Sequence, residues 1–281
     1  MRTGLRRLWM GLATLAGWPK GFFAPYRYAG SVKPARYPEL EEIFLRAEPR
    51  FRGVLSDIET HRSRLAGFDG PPPVPRWGQS WFPRLDGAAA YAIVRRARPA
   101  RIIEVGSGHS TRMIAQAVAD AQRDNEAGGG AEEGTSFICI DPAPRARLAG
   151  LEVELRQRVL SDQDIALFRD LSAGDIAFFD SSHLLWPGTD VDMILNRILP
   201  VLAPGVLVHV HDITLPDPYP ESWTWRGYGE QTGLGGWISG QGADLVFSSH
   251  YALTRMNGAE AVRGLPLMAG ALETSLWFER R

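Results

Sequence analysis

Residues 101–108 read Arg-Ile-Ile-Glu-Val-Gly-Ser-Gly, an apolar run that ends in an acid and breaks into two glycines one residue apart. The run predicts a buried strand that delivers the chain to the carboxyl edge of a parallel α/β sheet. Gly106 and Gly108 then let the backbone turn tightly and approach a ligand with no Cβ in the way. Ser110-Thr111-Arg112-Met113-Ile114-Ala115-Gln116-Ala117-Val118 follows with helical spacing, so the turn opens onto a helix N-terminus.

Two kinds of nucleotide ligand use such a turn. A dinucleotide site wants a third glycine for close helix–strand packing. Here Gly106-Ser107-Gly108-His109-Ser110-Thr111 puts threonine in that place. Glu104 is also a poor neighbour for a pyrophosphate, because like charges repel; it suits a ligand that carries a positive amine and a sulfonium. The next β-rich run, Ser136-Phe137-Ile138-Cys139-Ile140, stops at Asp141-Pro142. An acid there can accept both ribose hydroxyls of an adenosine. The interval is stretched by a polar, Gly-rich segment over 124–134, with Gly128-Gly129-Gly130 inside it, which reads as a surface loop extension. Two further buried-strand runs end at Asp180-Ser181-Ser182-His183 and at His211-Asp212. Acids are rarely buried without partners, and ligands of open parallel sheets bind outside the strands' carboxyl ends. The set of strand-end groups therefore reads as one site.

With these residues in view, the chain resembles a bacterial branch of the class I S-adenosylmethionine (SAM)-dependent methyltransferases. Glu104-x-Gly106-x-Gly108 resembles their first motif, and the D-x-x-H step at Asp180–His183, the H-D step at His211-Asp212 and the E-Q step at Glu230-Gln231 resemble features of that branch. The likeness starts near Phe82-Pro83-Arg84-Leu85-Asp86. It implies a Rossmann-like, doubly wound, mostly parallel α/β sheet of about seven strands. It implies SAM contacts from Glu104, Gly106, Ser107, Gly108, Ser110, Asp141 and Asp180, and methyl transfer to a hydroxyl or amine of a small-molecule or glycan-like acceptor. His183 and His211 are the candidate bases, with Asp180 orienting an imidazole or facing the methyl donor. In related small-molecule O-methyltransferases, acids at these strand ends hold a divalent metal, which would make Asp180 and Asp212 ligands. Here Asp212 is followed by Ile213 and preceded by a histidine, a departure that favours a histidine base over a metal. The alternatives are a non-catalytic Rossmann-like binding protein and an NAD(P)-dependent oxidoreductase; Glu104 and Thr111 count against the latter.

Composition fits one catalytic domain with an extension. The chain has 281 residues and a net charge of −1, so no global basic field recruits nucleic acid. One cysteine, Cys139, excludes an internal disulfide framework and a structural zinc site of cysteines; inside a strand it reads as an inert core thiol. Apolar residues from Tyr37 to Leu65 recur with helical spacing, and Gly70-Pro71-Pro72-Pro73-Val74-Pro75 reads as a stiff linker. The expected division is a helical cap with an N-terminal apolar segment over 1–70 and the SAM-binding domain over 71–281. Arg2, Arg6 and Arg7 precede an apolar stretch from Leu8 to Trp18. It is too short to span a bilayer. A signal peptide, a packed helix and a peripheral membrane-docking helix over 1–20 all fit it; the use of SAM points to the cytoplasm and against the signal peptide. After Asp212, three alternating prolines and Trp223, Trp225, Tyr228 and Trp237 among glycines fit a lid with aromatic walls.

Overall fold

Strands buried on both faces read as near-continuous apolar runs, and such strands pair in parallel with helices covering both sides. A computed structural model describes residues 2–18, 21, 26–127 and 134–281. Its sheet has seven strands: β1 (Arg101–Val105), β2 (Ser136–Ile140), β3 (Glu154–Arg156), β4 (Ile176–Phe179), β5 (Leu207–Val210), β6 (Ala243–Ser248) and β7 (Leu276–Arg280). Their order is β3-β2-β1-β4-β5-β7-β6. β7 runs antiparallel to β5 and β6, and the other pairs are parallel. This is the expected α/β, Rossmann-like architecture. β3 escapes sequence reasoning because Glu154, Leu155 and Arg156 lie at the sheet edge, where no apolar run is needed. The strand order reverses beside β1, with β2 on one side and β4 on the other. That is where an open parallel sheet parts at its carboxyl edge to take a ligand.

Residues 36–281 form one compact unit and residues 1–35 a second. In the larger unit, α2 (Pro38–Thr60) starts with proline in its first turn beside Glu39 and Glu41, where fixed φ and negative charge both favour a helix start. Its apolar stripe buries Leu40, Phe44, Phe51, Val54 and Ile58. The Phe51 ring lies 5.9 Å from that of Phe247 on β6 and 5.8 Å from that of Tyr251. The division expected at residue 70 therefore falls inside this unit, because α2 packs on the sheet rather than on a separate cap. The remaining helices are α3 (Arg62–Ala66), α4 (Arg84–Ala97), α5 (His109–Ala127), α6 (Ile165–Arg169), α7 (Asp190–Met193), α8 (Glu230–Ser239) and α9 (Ser249–Arg255). α4, with its alanine-rich face, packs against α5, which connects β1 to β2. The triple glycine at 128–130 lies outside the described residues.

The smaller unit contains α1 (Arg2–Leu15). No helix among the described residues is long and apolar enough to cross a membrane. Of the stretch 1–20, Met1, Pro19 and Lys20 lie outside the described residues.

Candidate active site

The turn after β1 is built around two close approaches. Gly106 has φ +81°, and a Cβ there would lie 1.8 Å from the carbonyl oxygen of Asp180. Only glycine lets the ends of β1 and β4 meet so closely. Backbone bonds tie the same point: Gly106 N–H donates to Ile140 at 3.0 Å and Asp180 N–H to Val105 at 2.9 Å. The first motif, Asp141 and Asp180 are thus drawn together at one sheet edge.

Glu104 is fully buried and does not face an open crevice. Ser110 Oγ donates to one of its oxygens at 2.5 Å, and Thr111 Oγ1 to the other at 2.6 Å. Thr111 Oγ1 also accepts the Gly108 N–H at 2.9 Å, and the Cys139 thiol donates to Glu104 at 3.4 Å. The threonine that stands where a dinucleotide site has glycine is therefore a clasp between the acid and the first turn of α5. Burial pushes the Glu104 carboxyl up to about 8, against hydrogen bonds from Ser110, Thr111 and Cys139 that favour the anion. Cys139 is buried, as expected, but it partners this acid.

Asp141 caps the same turn from β2. Its Oδ2 accepts the Ser107 N–H at 2.6 Å and the Ser107 hydroxyl at 3.0 Å, while Oδ1 accepts the Ala143 N–H at 2.7 Å. Arg145 N–H returns to the Ser107 carbonyl at 3.2 Å. Ser181, next after Asp180, has a buried hydroxyl oxygen with no hydrogen-bond partner among the described residues.

The ends of β4 and β5 bring four predicted residues into contact. His183 Nε2 lies 3.3 Å from Asp180 and 3.6 Å from Asp212. His211 Nδ1 lies 3.5 Å from Asp180 and 3.6 Å from Asp212. Two further carboxylates close the chain at its ends. Glu230, the first residue of α8, meets His183 Nδ1 at 2.9 Å, and Asp86 from α4 meets His211 Nε2 at 3.2 Å. Asp86 also accepts the Thr274 and Ser275 N–H groups, at 3.0 and 2.9 Å. Sequence reasoning noted Asp86 and Glu230 only as parts of a resemblance. Their sole signal was an acid at the start of an apolar helix and another beside Gln231, whose side chain accepts the Thr214 N–H at 2.9 Å.

Both rings are almost completely buried. Burial alone would push His183 down, but Asp180, Glu230 and Asp212 hold it well above the usual imidazole range. His211 is held high in the same way, with Asp180, Asp86 and Asp212 outweighing burial. Burial would raise Asp180, but the two rings hold its carboxyl well below the usual carboxylate range. Burial pushes Glu230 up despite the pull of His183. His183 and Asp212 both have positive φ, +60° and +56°. Non-glycine residues adopt that region at a cost, and such strain concentrates at functional sites. The neighbouring His209 is a core residue, stacked on Phe178 with ring centroids 3.7 Å apart.

A short cover lies beside His183. The Tyr228 ring centroid is 4.6 Å from the imidazole, and Arg226 sits over Trp223 at 4.2 Å and over Tyr228 at 5.2 Å. Arg226 also reaches Asp212 at 3.4 Å. Of the aromatic residues expected to wall a lid, Trp223 and Tyr228 gather around Arg226, and the Trp225 ring, half-exposed, lies 5.8 Å from the same guanidinium. Trp237 is not part of this group: it belongs to α8, with its indole against Gly242.

Residues 103–213 match the family model described as a methyltransferase domain. Over that span the chain is similar to a methyltransferase domain, and it lies on a Rossmann-like sheet. The match runs from β1 to the residue after Asp212, so it takes in the first motif, Asp141, Asp180, His183 and His211, and it leaves Asp86 and Glu230 outside. It sets aside the dinucleotide oxidoreductase alternative. No curated protein matches the chain. Among solved structures, the chain is similar to the SAH-bound Podospora anserina methyltransferase PaMTH1, with 15% identity over 93% of this chain and 99% of that one and a TM-score of 0.38.

The site's donor set fits a cationic methyl donor. Carboxylates outnumber cations around it, a glycine turn opens onto a helix N-terminus, and the Ser181 hydroxyl is buried without a partner among the described residues. A divalent metal fits less well. The acids that would hold it, Asp180 and Asp212, face the two imidazoles, and no group of three or more His, Cys, Asp or Glu among the described residues is arranged to hold a metal ion.

Proposed function

We propose that this methyltransferase domain methylates a hydroxyl of a small-molecule or glycan-like acceptor, with His183 as the general base. The observation that carries the reading is the unbroken run of contacts Glu230–His183–Asp180/Asp212–His211–Asp86 at the ends of β4 and β5. SAM supplies a methyl group on a sulfonium, so the reaction converts a cation and a nucleophile into two neutral groups and depends mostly on alignment. Asp141 binds the ribose hydroxyls, and the Gly106–Ser110 turn holds the neighbouring part of the donor. Glu104 acts through the turn, by fixing Ser110 and Thr111 from beneath. Glu230 accepts the Nδ1 proton of His183 and orients the ring. In its neutral form His183 takes the acceptor's proton at Nε2 as the acceptor oxygen bonds to the methyl carbon. Asp180 and His211 form the fixed floor of the pocket, and Trp223 and Tyr228 wall it from water.

Titration calorimetry with SAM and S-adenosylhomocysteine tests the binding half. Both should bind, and Asp141→Ala should weaken SAM binding by roughly 1.5–3 kcal/mol, the range for hydrogen bonds involving a charged group. Unchanged affinity in that variant would remove the ribose assignment. Turnover on a panel of hydroxylated acceptors, read with labelled SAM, tests the chemical half and should withstand EDTA. Reversible loss on chelation, restored by a divalent ion, would replace the histidine base with a metal.

A further inference from the structure

We infer that residues 1–35 dock this protein onto an anionic lipid bilayer, a property separate from methyl transfer. On α1, Leu5, Leu8, Trp9, Leu12 and Leu15 are each 54–72% exposed. Their spacing of three and four residues sets them along one side of the helix, as a continuous apolar stripe turned to solvent. A 14-residue helix with glycine at positions 4 and 11 is marginal in water. Such a helix gains stability when its stripe is covered.

Charge selects the cover. Residues 1–35 hold six basic residues and no acid, while the other 246 residues carry 25 basic and all 32 acidic residues. A chain with a net charge of −1 is therefore divided into a short segment of +6 and a body of −7. Both lysines of the protein, Lys20 and Lys33, fall in the short segment. A surface that is apolar in depth and anionic at its face complements this segment on both counts. Trp18, Tyr26 and Tyr28 are also exposed, each about 60% or close to it. Rings with a polar tip suit a boundary that is dry on one side and wet on the other. Nucleic acid would answer the charge and leave the leucine stripe wet. The acidic body of a second copy spreads its −7 over 246 residues and matches the dense positive segment less well. The short stripe lies in the boundary plane and does not span it.

Flotation of the full chain with vesicles decides the matter. Vesicles of phosphatidylcholine and phosphatidylglycerol should carry the protein upward at low salt, and high salt should release it. Phosphatidylcholine alone should carry little. Arg6→Ala should lower partitioning about five-fold, the effect of one basic residue near an anionic surface. Leu8→Glu should lower it about ten-fold or more, because one buried leucine is lost and an acid added. Both side chains are exposed, so SAM affinity and the melting temperature should not move; Leu12→Gln provides a second stripe variant should either one unfold. Equal binding to both vesicle types, or no binding to either, overturns the inference. Dimers in light scattering that Leu8→Glu dissociates, without vesicle binding, would assign the stripe to a second copy. Retention on duplex DNA without vesicle binding would assign the charge to nucleic acid.

Discussion

Glu104 and Glu230 are both buried carboxyls, and their partners set them different tasks. Glu104 faces hydroxyls and a thiol, and burial holds it up to about 8. A raised carboxyl keeps a proton in the folded chain that the unfolded chain gives up near 4.5. Its contribution to stability is complete below that lower value and is lost as pH rises towards 8. Glu104→Gln has no such loss. Denaturant unfolding at about pH 5.5 and about pH 7.5 should show the variant gaining roughly 2 kcal/mol on the parent across the interval. Parallel curves would mean that Glu104 does not titrate there. Glu230 faces an imidazole instead. It is one of the groups that hold His183 well above the usual range, so the rate should climb on the alkaline side of the usual imidazole range. Glu230→Gln removes that support and leaves the ring's burial. The acid limb of the pH–rate profile should move to lower pH, and the plateau should fall by on the order of 10²-fold as the base weakens. A lower plateau with an unmoved limb would show that Glu230 serves only the fold.

At the scale of elements, the site exists because β1 and β4 meet at their carboxyl ends. The meeting point is Gly106 against the Asp180 carbonyl, a contact of backbone with backbone that side-chain rotation cannot relieve. Gly106→Ala adds a Cβ at a position with φ +81° and 1.8 Å from that oxygen. The expected result is loss of several kcal/mol of stability or a chain that fails to accumulate folded, the outcome of strain at a special φ/ψ combined with a backbone clash. Gly108 offers a contrast, since a Cβ there would stand 3.4 Å from Arg145 Cβ, an ordinary contact. Gly108→Ala should fold and lose donor affinity instead. Melting temperature read beside SAM calorimetry separates the two glycines. If both variants melt alike, the β1–β4 contact is looser than the distances say.

For the whole molecule, the division between residues 1–35 and 36–281 predicts independence of binding and docking. All groups assigned to the site lie in the larger unit, and α2 completes that unit's aromatic packing through Phe44 and Phe51. Removal of residues 1–35 should leave the SAM dissociation constant within about two-fold and the melting temperature within a few degrees, as expected when no side chain of the main hydrophobic cluster is lost. A cut at residue 70, the boundary that the proline run suggests, should be far worse. It removes five buried apolar side chains of α2, at about 1.5–3 kcal/mol each. A stable, SAM-binding fragment 71–281 would show that α2 is dispensable.

Local pattern alone was enough for the sheet's centre and for the strand-end half of the candidate cluster. β1, β2, β4 and β5 are legible because a strand buried on both faces must be apolar along its whole length. Glu104, Asp141, Asp180 and His211-Asp212 are legible as candidates because acids are rarely buried without partners and these stand at the ends of such runs. Tertiary structure decided the rest. Asp86 lies 125 residues from His211 and Glu230 47 from His183, and no periodicity connects groups so far apart. Only the strand order brings α4 and α8 to the same edge. The state of each group was also beyond the sequence, because it depends on burial and on which charges stand opposite. Two histidines that sequence alone reads as ordinary bases near neutrality are, once enclosed by four carboxylates, held well above the usual imidazole range.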